Sequence, residues 1–147
     1  MKYGASVKDE CVFCQIVGKR IPSEVLLENK HVLCILDINP IHFGHTLVIP
    51  KEHFTDFLDL PPEYFPHVLS AANVLSRAMV KGLNLGGFNL FSNNGKIAGQ
   101  SVFHFHLHIT PRYEDDDIRF VLQLKKYPNG EMARFASLIK QYIPEAK

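Results

Sequence analysis

Hydrophobic and polar positions along the chain fall into short alternating or wholly apolar runs and one long stretch of helical period. Val32-Leu-Cys-Ile-Leu36 is nearly all apolar, as expected of a central strand covered on both faces. Glu24 to Glu28 predicts a strand before it, joined by the turn Asn29-Lys-His31. Thr46 to Ile49 predicts a third, opened by Gly44-His45 and stopped by Pro50. Beyond Pro61-Pro62, Phe65, Val68, Leu69, Ala72, Leu75, Met79 and Leu83 recur at three- and four-residue spacing. They predict one long amphipathic helix, with Pro66 in its first turn and Gly82 as a cap. Phe88 to Phe91 predicts a strand after Gly86-Gly87. Cys11 to Val17, closed by Gly18, predicts a short helix or turn with Phe13, Ile16 and Val17 facing inward. Ile118 to Leu124 is expected as one more strand. Asn129 is expected to cap a last helix with Met132, Phe135, Leu138, Ile139 and Tyr142 on its inner face.

The most distinctive run is Ser101-Val-Phe-His-Phe-His-Leu-His-Ile-Thr110. Alternation with period two is the mark of a strand, because successive side chains point to opposite faces. His104, His106 and His108 should therefore share one face, with Phe105, Leu107 and Ile109 buried on the other. The expected fold class is α+β: a mainly antiparallel sheet of about five strands with one long helix and a C-terminal helix. The short links leave little room for regular crossovers between parallel strands.

At 147 residues the chain is long enough for its own core, and it is expected to form a single domain over 1–147. Residues 1–9 are expected as a mobile terminus and 125–147 as a C-terminal helical extension. A net charge of +1 argues against a protein built on non-specific nucleic-acid or membrane binding. No apolar run is long enough to span a bilayer, and no basic-then-apolar signal opens the chain, so the expected location is cytoplasmic. Three cysteines without a secretory signal argue against a disulfide framework. Cys34, inside an apolar run, reads as a buried small hydrophobe.

Imidazole is the side chain whose unperturbed pKa lies near neutrality, so the histidine face carries candidate bases, nucleophiles or ligands. Same-face neighbours about 6.6 Å apart splay rather than converge on one ion. A nucleophilic role suits the run better. A neutral imidazole can attack phosphorus directly, and His106 has a same-face histidine on either side. In the loop before it, Gly95 and Gly99 permit close backbone approach, while Asn93, Gln100 and Ser101 offer uncharged donors to phosphate oxygens. Asp37, at a strand end before Pro40, caps a turn or accepts two ribose hydroxyls. Phe13, Ile16, Ile21 and Ile35 line a base pocket or simply fill the core. Cys11-Val-Phe-Cys14 has metal or redox spacing. No strand precedes it as a thioredoxin-like motif requires, and zinc would need histidines such as His45 and His104 to complete its ligands.

Together these blocks resemble the histidine triad (HIT) family. His104-Phe-His-Leu-His-Ile matches its alternating motif. Cys11-Val-Phe-Cys14-Gln-Ile16, Asp37-Ile-Asn-Pro40, Gly44 to Lys51 and Asn93 to Arg112 follow in family order. The resemblance implies a small α+β unit, usually a homodimer. It implies His106 as the nucleophile forming a nucleotidyl-phosphohistidine and His108 at the phosphate or leaving group. Ser101 and Gln100 would hold phosphate oxygens, with Asn93 and Gly99 alongside, and Asp37 would take the ribose. A structural zinc ion, as in some branches, would fall to Cys11, Cys14, His45 and His104. Transferase relatives carry glutamine at the third histidine, whereas this chain has His108, so hydrolysis is the implied outcome. No Cys or His follows residue 112, unlike the aprataxin-like branch with its added zinc finger. The chain has no Trp, so the specificity of the phosphoramidase-type branch, with its tryptophan-bearing tail, does not transfer. The implied activity is cleavage at the α-phosphate of a nucleoside phosphoramidate or dinucleoside polyphosphate, on purine nucleotides such as AMP derivatives. The rival readings are a nucleotide-binding regulatory protein with vestigial hydrolysis and a zinc redox sensor built on Cys11 and Cys14.

Overall fold

A computed structural model describes residues 7–144. The mobile terminus expected over 1–9 lies largely outside them, and Val7–Glu10 forms a first helical turn, α1. The chain then runs through α2 (Val12–Val17), β1 (Val25–Glu28), β2 (Val32–Leu36), β3 (Thr46–Pro50), α3 (Phe65–Gly82), β4 (Gly87–Phe91), β5 (Leu107–Arg112) and α4 (Glu131–Lys140). The strands form one sheet in the order β1-β2-β3-β5-β4, antiparallel at every pairing. This is the α+β fold with an antiparallel sheet that the patterning predicts.

Both faces of the central strands are covered, which is why β2 reads as a continuous apolar run. Val32, Cys34, Val48, Phe105 and Ile109 pack with Ala72, Leu75 and Met79 of α3. Leu33, Ile35, Leu47 and Ile49, on alternate positions, pack with Phe13 of α2 on the opposite face. Removing that much apolar surface from water supplies the main drive for forming the sheet.

The structure departs from the expected elements in several places, and α3 runs through Gly82, expected as its cap, to a cap at Leu83. Regular pairing of the histidine strand begins at Leu107 rather than Ser101. Before it Val102, Phe103 and His104 lie in bends, and the Phe105 N–H bonds to the carbonyl of Phe54, in the segment after β3. Alternation survives from His104 onward: Phe105 and Ile109 enter the α3 layer, while the rings of His104 and His106 meet Phe13 on the other side. Secondly, β5 continues past Thr110, where the predicted run ends, and takes in Pro111. Strand β3 accompanies β5 only as far as Ile109, and Pro111 is opposite Phe88 of the edge strand β4. Finally, no strand forms over 118–124, and α4 starts after Gly130, whose φ of +82° is left-handed, rather than at an Asn129 cap.

Two compact units divide after Asp117, earlier than the extension expected from residue 125, in a chain read as one domain over 1–147. The first holds the sheet and helices α1 to α3. In the second, residues expected on the inner face of the last helix are exposed: Phe135 of α4 at 43%, and Tyr142, which lies beyond the end of α4, at 82%.

Candidate active site

Two glycines shape the frame of the site. Gly44 has φ of +95°, and a Cβ there would lie 2.7 Å from Leu83 Cδ1, so only glycine lets the turn before β3 deliver His45 into the interior. Gly99, at φ +91°, turns the loop that leads to Ser101, with the Asn93 amide packed beneath it.

A cleft of about 650 Å³ opens on the α2 face of the sheet. Phe13 and Ile16 of α2, Ile35 and Asp37 at the end of β2, Ser101, and the pair His106 and His108 all line it. With Ile21, which also lines it, eight of the sequence-predicted residues thus converge there. Asn93, Gly99 and Gln100 are not among the residues that line it. Gln100 is turned inward and fully used: Oε1 accepts the Gly95 N–H at 2.8 Å, and Nε2 donates to the carbonyls of Thr55 at 2.7 Å and Val102 at 3.2 Å. The side chain expected to hold phosphate therefore clamps the loop, because both of its amide hydrogens are already committed.

The three histidines are not equivalent. His106 Nδ1 lies 2.7 Å from the carbonyl of His104 and must donate to it, which leaves the lone pair on Nε2. Phe13 meets the His106 ring edge-on at 5.0 Å. His108 stacks on Phe91 at 4.7 Å and receives His45 Nε2 at 2.9 Å from its Nδ1. Burial lowers the pKa of His106, against the backbone bond to His104 and the charge of Asp37. Burial also pushes His108 down to about 3, helped by His106 and His45. Asp37 accepts the Asn39 N–H at 2.9 Å and stays 19% exposed at the cleft wall.

His108 therefore ties stability to pH. Its pKa falls from an unfolded value of about 6.5, so between the two values the unfolded chain binds a proton that the native chain refuses. Stability from this group is present above pH ~6.5 and is lost as pH falls toward the folded value, at up to about 1.4 kcal/mol per unit. Urea titrations across that window should show a shallower acid slope for His108→Asn than for the parent. Equal slopes would contradict this.

The metal-type residues form a separate cluster behind the cleft. Cys11 Sγ lies 3.4 Å and Cys14 Sγ 3.5 Å from His104 Nδ1, and Cys14 Sγ lies 3.3 Å from His53 Nδ1. All four donor atoms fall within 4.8 Å of one another. The fourth member is His53, not the expected His45. Antiparallel register gives the reason. Leu47 sits opposite His108, so the β3 end nearest His45 meets His108, and Pro50, near His53, meets His104. His53 carries no motif of its own; only that register, counted back along the strand, points to it. Sulfur-to-nitrogen separations near 3.5 Å are about what tetrahedral zinc requires. His104 Nε2 donates to the Pro50 carbonyl at 2.8 Å, which fixes the lone pair on Nδ1, facing the thiols. Burial, then the neighbouring Cys11 thiol, pushes Cys14 up to about 11, as expected where two thiols share a site without a cation. Burial alone raises Cys34, a core residue, to about 12.

The HIT domain model matches residues 18–115. The chain belongs to the HIT family. Similar proteins include an adenylylsulfatase of Arabidopsis thaliana, 35% identical over 95% of this chain and 72% of the relative. An adenosine 5'-monophosphoramidase of Saccharomyces cerevisiae is 37% identical over 78% of this chain and 70% of the relative. A HIT family protein from Bacillus subtilis superposes with a TM-score of 0.86 at 36% identity, covering 92% of this chain and 99% of that one. A zinc-bound histidine triad protein from Mycobacterium smegmatis superposes at 0.71, with 38% identity over 91% of this chain and 99% of that one.

Proposed function

We propose that this HIT protein is a nucleotide-binding hydrolase that cleaves at the α-phosphate of a nucleoside phosphoramidate or a dinucleoside polyphosphate. The observation that carries this is the His106 tautomer. A buried imidazole kept neutral, with its proton held by a backbone carbonyl, presents a free Nε2 lone pair in a cleft that also holds a carboxylate and a serine. Two relatives named for activities on adenylyl compounds support the substrate class.

In the proposed reaction the base packs among Phe13, Ile16 and Ile35, and Asp37 accepts the ribose hydroxyls. His106 Nε2 forms a bond to phosphorus as the bond from phosphorus to the leaving group breaks. The electron pair departs with the leaving group, which takes a proton from solvent. Ser101 and His108 stabilise charge on the phosphoryl oxygens, where fixed donors act without reorganisation. Water then attacks phosphorus, the bond to His106 breaks, and a nucleoside monophosphate leaves with the water's oxygen. Asn93, Gly99 and Gln100 act by holding the loop that carries Ser101.

Zinc fits the cluster of Cys11, Cys14, His53 and His104 by donor type and spacing. There it would supply structural cross-linking, tying the start of α2 to the histidine run. Dimerisation is also proposed. β4 is an edge strand with Phe88 and Leu90 exposed, so it can pair with a second copy, and light scattering should give twice the chain mass. The soluble cytoplasm remains the proposed setting; among the described residues no helix is long and apolar enough to cross a membrane.

Steady-state release of AMP from adenosine 5'-phosphoramidate and from diadenosine polyphosphates tests this reading. Turnover of at least one substrate class is expected. Tight AMP binding with no release from any of them would support the binding-only alternative.

A further inference from the structure

A second cavity, of about 410 Å³, adjoins the cleft. The two share Val12, Ser101 and Val102. The second is lined by none of the base-end residues Phe13, Ile16 and Ile35, nor by Asp37, so it continues the cleft past the serine and not past the base. Glu10, at the end of α1, and Phe103 line it as well, beside Cys11 and His53 of the thiol–imidazole cluster. Phe103 is 47% exposed and makes no ring contact among the described residues. The end of α1 is tied down through Asp9, whose carbonyl accepts from Gln15 Nε2 at 2.8 Å and whose carboxylate holds Arg20 at 3.1 Å. Among the described residues no lysine or arginine lines either cavity, whereas three carboxylates do: Glu24 and Asp37 in the cleft and Glu10 in its continuation. Lys8 and Arg20 lie near enough to Cys14 for their charge to act on its thiol, but neither lines a cavity. Two thiolates balance one divalent ion, so a loaded cluster adds no net charge beside Glu10.

We infer that the second cavity is the leaving-group subsite of the proposed hydrolase, and that Glu10 and Phe103 fit it to an organic amine with a positive charge at the end of a short apolar stem. The inference rests on the hydrolase reading and narrows it. A substrate whose base and ribose occupy the cleft has its phosphorus beside His106 and Ser101, and the group beyond phosphorus enters the space beyond Ser101. A polyphosphate tail would bring several negative charges to a wall that holds a carboxylate and no cation, which costs free energy. An amine tail instead lays its stem on the uncovered Phe103 ring and sets its charge near Glu10. Nucleoside phosphoramidates are thereby favoured over dinucleoside polyphosphates. The bond broken is then phosphorus to nitrogen. Its electron pair stays on nitrogen, which takes a proton from solvent and leaves as the free amine, while His106 Nε2 bonds to phosphorus.

Adenosine 5'-phosphoramidates of pentylamine, diaminobutane and β-alanine probe the subsite with tails of equal size, similar basicity at the reacting nitrogen and different charge. On the full, metal-loaded chain at low salt, kcat/KM for the cationic tail should exceed that for the neutral tail by about threefold or more, and the anionic tail should be poorest. The spread should shrink in high salt. Glu10→Gln should bring the ratio of cationic to neutral tail close to one, and Glu10→Lys should favour the anionic tail. Phe103→Ala should lower kcat/KM for the pentylamine compound by about threefold, because its stem loses an apolar contact. Equal values for the three tails in the parent, or an unchanged ratio in folded Glu10→Gln, would overturn the subsite. Unsubstituted adenosine 5'-phosphoramidate tests the hydrolase reading separately, because its leaving group is ammonia and has no tail to place in the second cavity. If no amidate turns over, the affinities of the same three compounds decide the subsite: the same order supports it, and equal affinities overturn it.

Discussion

Replacing His106 by alanine is expected to lower turnover by at least about a thousandfold while nucleotide affinity changes by less than about tenfold. The split follows from where the side chain sits. Its contribution to binding is one ring among many in a cleft whose ribose and base contacts lie on Asp37, Phe13, Ile16 and Ile35. Its contribution to chemistry is unique, because the carbonyl of His104 fixes the Nδ1 proton and leaves Nε2 as a ready lone pair. His108 cannot replace it, because its Nδ1 is already engaged by His45 Nε2 at 2.9 Å. The ring is 6% exposed, so the alanine variant also leaves a cavity. Free imidazole supplied to His106→Gly should diffuse into that space and restore measurable turnover. Parental turnover in His106→Ala would remove the covalent mechanism altogether.

The second large effect concerns the cluster behind the cleft. The purified chain should carry about one zinc ion per molecule, and chelation should lower its melting temperature by about 15 °C, corresponding to about 5 kcal/mol. Such a loss is expected because the ion would join the N-cap of α2 to His53 after β3 and His104 ahead of β5, segments far apart in sequence. His53→Ala should lose the metal, and His45→Ala should retain it. That contrast separates the observed cluster from the one the family pattern implies. Metal retained in His53→Ala and lost in His45→Ala would reinstate the pattern. A redox sensor based on Cys11 and Cys14 would instead lose activity on mild oxidation with little change in melting temperature.

The parts of this fold that local patterning decides were legible in advance. The all-apolar run Val32–Leu36 became a central strand because two layers cover it, and the spacing from Phe65 onward became α3. The parts that failed depend on what lies opposite. From the sequence His45, in the Gly44 to Lys51 block, is the expected ligand, and His53 carries no motif. Only the antiparallel register of β3 against β5 sends one toward His108 and the other toward His104. Gln100 reads as a phosphate donor until its amide hydrogens are counted and found to be spent on Thr55 and Val102. The run over 118–124 has enough apolar residues for a strand, but hydrophobic content does not supply a partner edge. The histidine run itself kept its alternation while losing half its expected ladder. Bends at Val102 to His104 end the pairing, because a ladder requires a neighbouring strand as well as alternating side chains.

The central claim is a covalent bond between His106 and the substrate phosphorus. The direct test is mass spectrometry of the chain quenched during turnover of adenosine 5'-phosphoramidate. The quench should be alkaline, because a phosphorus bond to imidazole nitrogen is labile in acid. The account predicts an adenylyl adduct on the peptide carrying His106, absent from His106→Ala. An adduct localised to His108, or steady turnover with no adduct detectable on a peptide whose synthetic adenylyl form survives the same quench, would contradict it.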